Sequence, residues 1–176
     1  MFLTAKKAAF TGMTLTVSFL LLLLGSILEV STLFFLAAAA FCIGIVIREL
    51  GLRMGAAFLA ASILLGLLIA PNKLYVCTYG MIEGYLLLRE AWWVFLEKRQ
   101  KPRKSYLLGK AVIAQLLLLP LIFFAPRFFY AGEMTWQLRC GLLAAGEVFW
   151  FVVDMAYDVF QRQIWGKLRR HLDWMT

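Results

Sequence analysis

The sequence predicts an all-α, polytopic membrane protein: a compact bundle of six transmembrane helices forming a single membrane domain over residues 1–176. Three observations predict it. The chain is 63% apolar, more than a soluble domain of this length can keep from water, because too much of its surface faces solvent. The apolar residues fall in runs long enough to cross a bilayer. The basic residues stand at the ends of those runs, as membrane topology requires.

The elements follow in chain order. A first helix runs from about Ala8 to Leu28 behind the basic pair Lys6 and Lys7. It is expected to be retained, since no small-residue cleavage site ends it and another apolar run follows almost at once. After a tight turn at Glu29 to Thr32, a second helix covers 33–47 and ends in the charged segment Arg48 to Arg53 around Gly51, a helix-ending residue. A third covers 54–70 and stops at Pro71-Asn72-Lys73, a strong breaker. The second and third runs are short for a 30 Å core, so they borrow flanking residues or span only in part. A fourth helix covers 74–96. The segment Glu97 to Ser105 then carries Lys98, Arg99, Lys101, Arg103 and Lys104; anchoring at lipid headgroups is its simplest use, and a specific partner the other. A fifth helix covers 106–125, with a kink expected at Pro120. A loop from Pro126 to Trp136 leads to a sixth helix over 137–160, which runs into a basic tail with Arg162, Lys167, Arg169 and Arg170.

Charge sets the orientation. The formal charge of +8 does not indicate nucleic acid, because it is concentrated at helix ends. One side of the membrane collects Lys6, Lys7, Arg48, Arg53, the basic residues of 97–105 and the tail. The other holds only Lys73 and Arg127. The positive-inside rule therefore places both termini in the cytoplasm of a multi-pass cell-membrane protein. Cys42, Cys77 and Cys140 show neither CxxC nor zinc spacing and read as small buried hydrophobes. No connection is long enough for a soluble catalytic or nucleotide-binding domain, and no phosphate-binding glycine loop is present. Without a His cluster, HExxH or a matched nucleophile, no enzyme activity, metal or cofactor is expected.

Polar groups deep in lipid are costly and are therefore the candidate functional residues. Glu83 and Glu147 should both lie near mid-bilayer, facing the bundle interior or a polar cavity. Tyr79, Glu83 and Glu90 share one stripe of the fourth helix, and Glu147, Asp154 and Asp158 share one of the sixth. Two uses compete. In one, Arg89, Glu90, Asp154 and Asp158 pair internally and fix helix register, with Arg89 and Asp154 at similar depth. In the other, Tyr79, Glu83, Tyr85, Arg139, Glu147 and Trp150 line a solute pocket between the fourth and sixth helices, roofed by the outer loops. Separately, Ala5, Ala9, Gly12 and Met13 form a face of the first helix with small residues at close-packing spacing, a candidate partner-binding surface.

Over nearly its whole length the chain resembles the substrate-binding (S) components of energy-coupling factor (ECF) transporters. Ala5-Lys6-Lys7-Ala8-Ala9 is similar to the Ala-x-x-x-Ala patch by which such proteins dock on their coupling subunit. Pro71-Asn72-Lys73 and the Gly-Tyr-containing stretch Tyr79 to Tyr85 are similar to the outer turn and fourth helix of uncharacterised members. The resemblance implies capture of a small solute from outside, with uptake powered by a separate transmembrane coupling subunit and a pair of ATPases. The same six-helix architecture is also associated with membrane scaffolds of the cell-elongation machinery, of the rod-shape-determining type, which are interaction proteins without a solute, and this is the alternative expectation. A scaffold should close its charges internally or against partners; a solute binder should leave an outward-facing polar cavity beside Glu83 and Glu147.

Overall fold

A computed structural model describes residues 5–28, 31–70, 73–99, 103–124 and 135–169, with side chains for all of these except 103–104, 120–124 and 168–169. The Pro71-Asn72 breaker, Arg127, the 126–134 loop and Arg170 lie outside the described residues, as do the side chains of Arg103, Lys104, Pro120 and Arg169.

The described chain is all-α. Six long helices occur: α1 (Ala5–Ile27), α2 (Thr32–Leu50), α3 (Leu52–Ile69), α4 (Lys73–Lys98), α5 (Arg103–Phe124) and α6 (Trp136–Val159). A π-helical segment, Phe160–Trp165, and a short α7, Gly166–Arg169, extend α6. The helices divide into two compact units, Met1–Phe95 and Leu96–Thr176. Among the described residues, four stretches are long and apolar enough to cross a membrane: Ala5–Ile27, Thr32–Leu50, Leu52–Ile69 and Trp136–Trp165. The chain is thus a multi-pass membrane protein. The second and third helices do borrow flanking residues, reaching 19 and 18 residues. At 1.5 Å per residue each is about 28 Å long, close to a hydrocarbon core.

The first unit packs α1 against α2 and α3, and α2 against α3. Successive helices run antiparallel. The turn between α2 and α3 is a single residue, Gly51, at φ 91°, which an L side chain rarely adopts. Each helix turns a distinctive stripe inward. On α1 it is Phe10, Thr14, Ser18, Leu22 and Gly25; on α3 it is Gly55, Phe58, Ser62 and Gly66. Small and hydroxyl-bearing residues line these stripes because lipid supplies no hydrophobic drive between helices, and close packing and hydrogen bonds must hold them. The outward faces are plainly apolar, with Met13, Val17, Leu20 and Leu24 on α1 and Leu64, Leu67 and Leu68 on α3. Helix α2, buried from Ala39 through Gly44 on every side, is the central helix of the unit.

Helix α4 completes this unit and explains its own modest hydropathy. Tyr79, Glu83, Arg89 and Glu90 are all buried, whereas Leu74, Leu88, Trp93 and Phe95 are exposed. The polar residues of its middle point in, beside Val76, Ile82 and Leu86. Gly66 lets α4 close on α3: a Cβ there would lie 2.9 Å from Val76 Cγ1. Lys73 Nζ bonds the α3 carbonyls of Leu67 and, at 2.9 Å, Ala70, so the first residue of α4 satisfies the unpaired end of α3.

In the second unit α5 and α6 pack antiparallel. Lys110 meets Asp154, Gln115 meets Glu147, and Leu118 covers Gly146, so numbers rise on one helix as they fall on the other.

Candidate functional site

The best-defined polar centre lies inside the first unit and draws on all four of its helices. On α4, Tyr79 Oη donates to Glu83 Oε1 at 2.6 Å, an i to i+4 pair within the helix. From α3, Ser62 Oγ donates to Glu83 Oε2 at 2.6 Å. From α1, Ser18 Oγ lies 2.7 Å from Tyr79 Oη and donates to the Ala39 carbonyl of α2 at 2.8 Å. Ser62 Oγ has a second acceptor within reach, the Leu59 carbonyl at 2.9 Å. Cys42 of α2 borders the cluster beside Ser18, its thiol directed at the Ala38 carbonyl 3.9 Å away.

The arrangement is a chain. Ser18, Tyr79, Glu83 and Ser62 stand in series between two backbone carbonyls, which can only accept. Glu83 has 0% exposure, and both carboxyl oxygens are engaged by neutral hydroxyls of its own unit. Burying such a group in apolar surroundings without these bonds would cost several kcal/mol. The chain therefore ties α1, α2, α3 and α4 together at the level of Glu83, ten residues into α4 from Lys73, or about 15 Å along the helix.

Two ion pairs lie nearer the helix ends. Arg48, in the last turn of α2, reaches Glu90 of α4 at 3.4 Å. Lys110 of α5 binds Asp154 of α6 and also lies 5.0 Å from the centroid of the Tyr106 ring. Arg89 is buried and Asp158 half-buried.

Of the residues expected to line a solute pocket, the structure joins Tyr79 to Glu83. Tyr85, in the same unit, is buried. Arg139, Glu147 and Trp150 belong to the second unit. Trp150 is buried against Phe149 in an edge-to-face contact, centroids 6.0 Å apart. Arg139 is half-buried near the start of α6. Glu147, unlike Glu83, is exposed, and it accepts a hydrogen bond from Gln115 Nε2 of α5. The α1 residues Ala5, Ala9, Gly12 and Met13 all face outward, Met13 at 70% exposure.

Ser18, Ser62 and Gln115 were not among the expected site residues. A signal for them exists in the sequence, since each is a polar side chain set deep in an apolar run, where such groups act as interhelical contacts. Cys77 and Cys140 correct the expectation of three buried cysteines: both are exposed, and only Cys42 is buried. They occupy outward faces of α4 and α6, where an apolar thiol faces lipid as readily as a core.

No family model, curated protein or solved structure matches the chain. The reading of function rests on the geometry above.

Proposed function

We propose that this chain is a non-enzymatic membrane protein that works by assembling with other membrane proteins, in the manner of a scaffold, and captures no solute at Glu83. One observation carries the proposal: the Glu83 carboxyl is closed inside its own unit. A solute site presents polar groups with hydrogen-bonding capacity toward a cavity. Here both Glu83 oxygens are occupied by Tyr79 and Ser62, and Tyr79 is itself engaged by Ser18. Charges are likewise used internally at Arg48–Glu90 and Lys110–Asp154. Membrane scaffolds of the cell-elongation machinery are an instance of this class associated with the same six-helix architecture. With the basic helix ends on the cytoplasmic side, both termini lie in the cytoplasm, and α4 and α5 cross the bilayer with the other four helices.

A second reading, the S component of an ECF-type transporter, is favoured by the outward face of Ala5, Ala9, Gly12 and Met13, where the resemblance implies contact with a coupling subunit. The two readings separate in one experiment. The tagged protein is purified in mild detergent from its own membranes, and its companions are identified by mass spectrometry. The scaffold reading expects wall-synthesis or other membrane proteins without an ATPase pair. Recovery of a coupling subunit with two ATPases would overturn it in favour of transport.

A further inference from the structure

The oxygens around Glu83 make five contacts in series, and the lengths of those contacts say where hydrogens must lie. From the Ala39 carbonyl the series runs to Ser18 at 2.8 Å, on to Tyr79 at 2.7 Å, and to Glu83 Oε1 at 2.6 Å. From Glu83 Oε2 it continues to Ser62 at 2.6 Å and to the Leu59 carbonyl at 2.9 Å. All five fall in the range of O–H···O bonds. Two oxygens this close with no hydrogen between them oppose lone pair to lone pair.

An ionised Glu83 leaves only the three hydroxyl protons for these contacts. The Ala39 carbonyl can take its hydrogen from Ser18 alone. Tyr79 then serves either Ser18 or Glu83, and the one it leaves is a contact of 2.7 Å or less without a hydrogen. A proton on Glu83 Oε1 supplies the missing one. The carboxyl donates to Tyr79, Tyr79 to Ser18 and Ser18 to Ala39, while Ser62 donates to Oε2. The contact then left over is Ser62–Leu59, the longest of the five and internal to α3. Its carbonyl still has the helical amide four residues on.

The surroundings agree on separate grounds. Glu83 is fully buried, and a buried carboxyl with no cation beside it exists in its neutral form. The groups bordering it are Ser18 of α1, Cys42 of α2, Ser62 of α3 and Tyr79 of α4, none of them a cation. The basic residues of α1, α2 and α3 stand at helix ends: Lys6, Lys7, Arg48 and Arg53. On α4, Lys73 is held by the carbonyls that end α3. Arg89 is six residues further on, about 9 Å along the axis and a third of a turn round.

We infer that Glu83 is a proton-binding site: it stands within the bundle as a carboxylic acid whose proton points to Tyr79 and completes a one-way chain of hydrogen bonds from α3 through α4 and α1 to α2. The arrangement in which Tyr79 donates to Glu83 belongs to the ionised side chain. Loss of the proton reverses that link and leaves the Ser18–Tyr79 contact between α1 and α4 without a hydrogen.

The test is infrared spectroscopy of the full chain in lipid vesicles at neutral pH, where a carboxylic acid shows a carbonyl stretch that a carboxylate lacks. Glu83→Gln should remove the acid-carbonyl absorption of one carboxyl per chain, and Glu147→Gln should leave that component in place. Ser62→Ala takes the donor from Oε2, the carbonyl oxygen of the acid, and should move the Glu83 band to higher wavenumber without abolishing it. This second variant keeps the test open should Glu83→Gln not fold. Loss of carboxylate absorption in Glu83→Gln, with the acid-carbonyl region unchanged, would overturn the inference. So would a Ser62→Ala spectrum identical to that of the unmodified chain in the acid-carbonyl region.

Discussion

Glu83 and Glu147 show how one residue type, mid-way along a helix in each unit, acquires opposite surroundings. Glu83 is hydrogen-bonded to the hydroxyls of Ser62 on α3 and Tyr79 on α4, the latter linked in turn to Ser18 of α1, and acts as an internal tie. The tie can be dissected by donor counting. The Ser18, Tyr79 and Ser62 hydroxyls each hold one proton for links that end on the Ala39 and Leu59 carbonyls. Glu83→Gln supplies an amide donor to Tyr79 Oη and an acceptor to Ser62, and frees the Tyr79 proton for Ser18. It should change stability by no more than about 1 kcal/mol. Glu83→Leu removes both hydrogen bonds of the carboxyl, leaving Ser62 to donate to the Leu59 carbonyl and Tyr79 to Ser18, and should cost about 1–2 kcal/mol, as should Tyr79→Phe, which cuts the link to α1. Reversible unfolding in detergent micelles checks the order. Equal losses for the Gln and Leu variants would show that shape, and not hydrogen bonding, holds this point.

At the scale of the element, the instructive helix is α4. Averaged along its length it is the least convincing span, because it carries Glu83, Arg89 and Glu90. Resolved by face it is well suited to lipid, with every one of those groups buried and Leu74, Leu88, Trp93 and Phe95 outside. Its approach to α3 depends on Gly66. Val76 is β-branched and stiff at χ1 in a helix, so it cannot rotate away from a new side chain whose Cβ would be 2.9 Å from its Cγ1. Gly66→Val should therefore push the helices apart and destabilise by about 1–3 kcal/mol. The control is Gly12→Val, at an outward position with nothing near the added Cβ, which should leave the melting temperature unchanged.

For the whole molecule, the alternation of helices and the placement of basic residues make one statement about orientation. Within the first unit, the start of α1, the α2–α3 turn and the end of α4 lie on one side, and they carry Lys6, Lys7, Arg48, Arg53 and Lys98. The opposite side carries Lys73. With the native cysteines replaced, single cysteines at positions 6, 53 and 98 should react with an impermeant thiol reagent only from the cytoplasmic face, and one at position 28 only from outside. Labelling of positions 53 and 28 from the same side would refute the alternation.

Several of these features are legible in the amino-acid sequence. Six helices, the antiparallel succession within each unit and the mid-helix position of both carboxylates follow from run length, breakers and charge, because a bilayer imposes a fixed thickness and a fixed rule for basic residues. The Tyr79–Glu83 pair is legible too, since i and i+4 are neighbours on any helix. The rest depends on which faces meet. Ser18 joins Tyr79 across 61 residues and Ser62 joins Glu83 across 21, and no periodicity within one helix reveals that. Position in the chain is enough to put Glu83 and Glu147 well inside their helices. Helix packing alone seals the first within the four helices of its unit and leaves the second exposed on α6 beside Gln115 of its own unit. Depth is set by distance along a single helix, whereas inside and outside are set by how each helix is rotated against its neighbours.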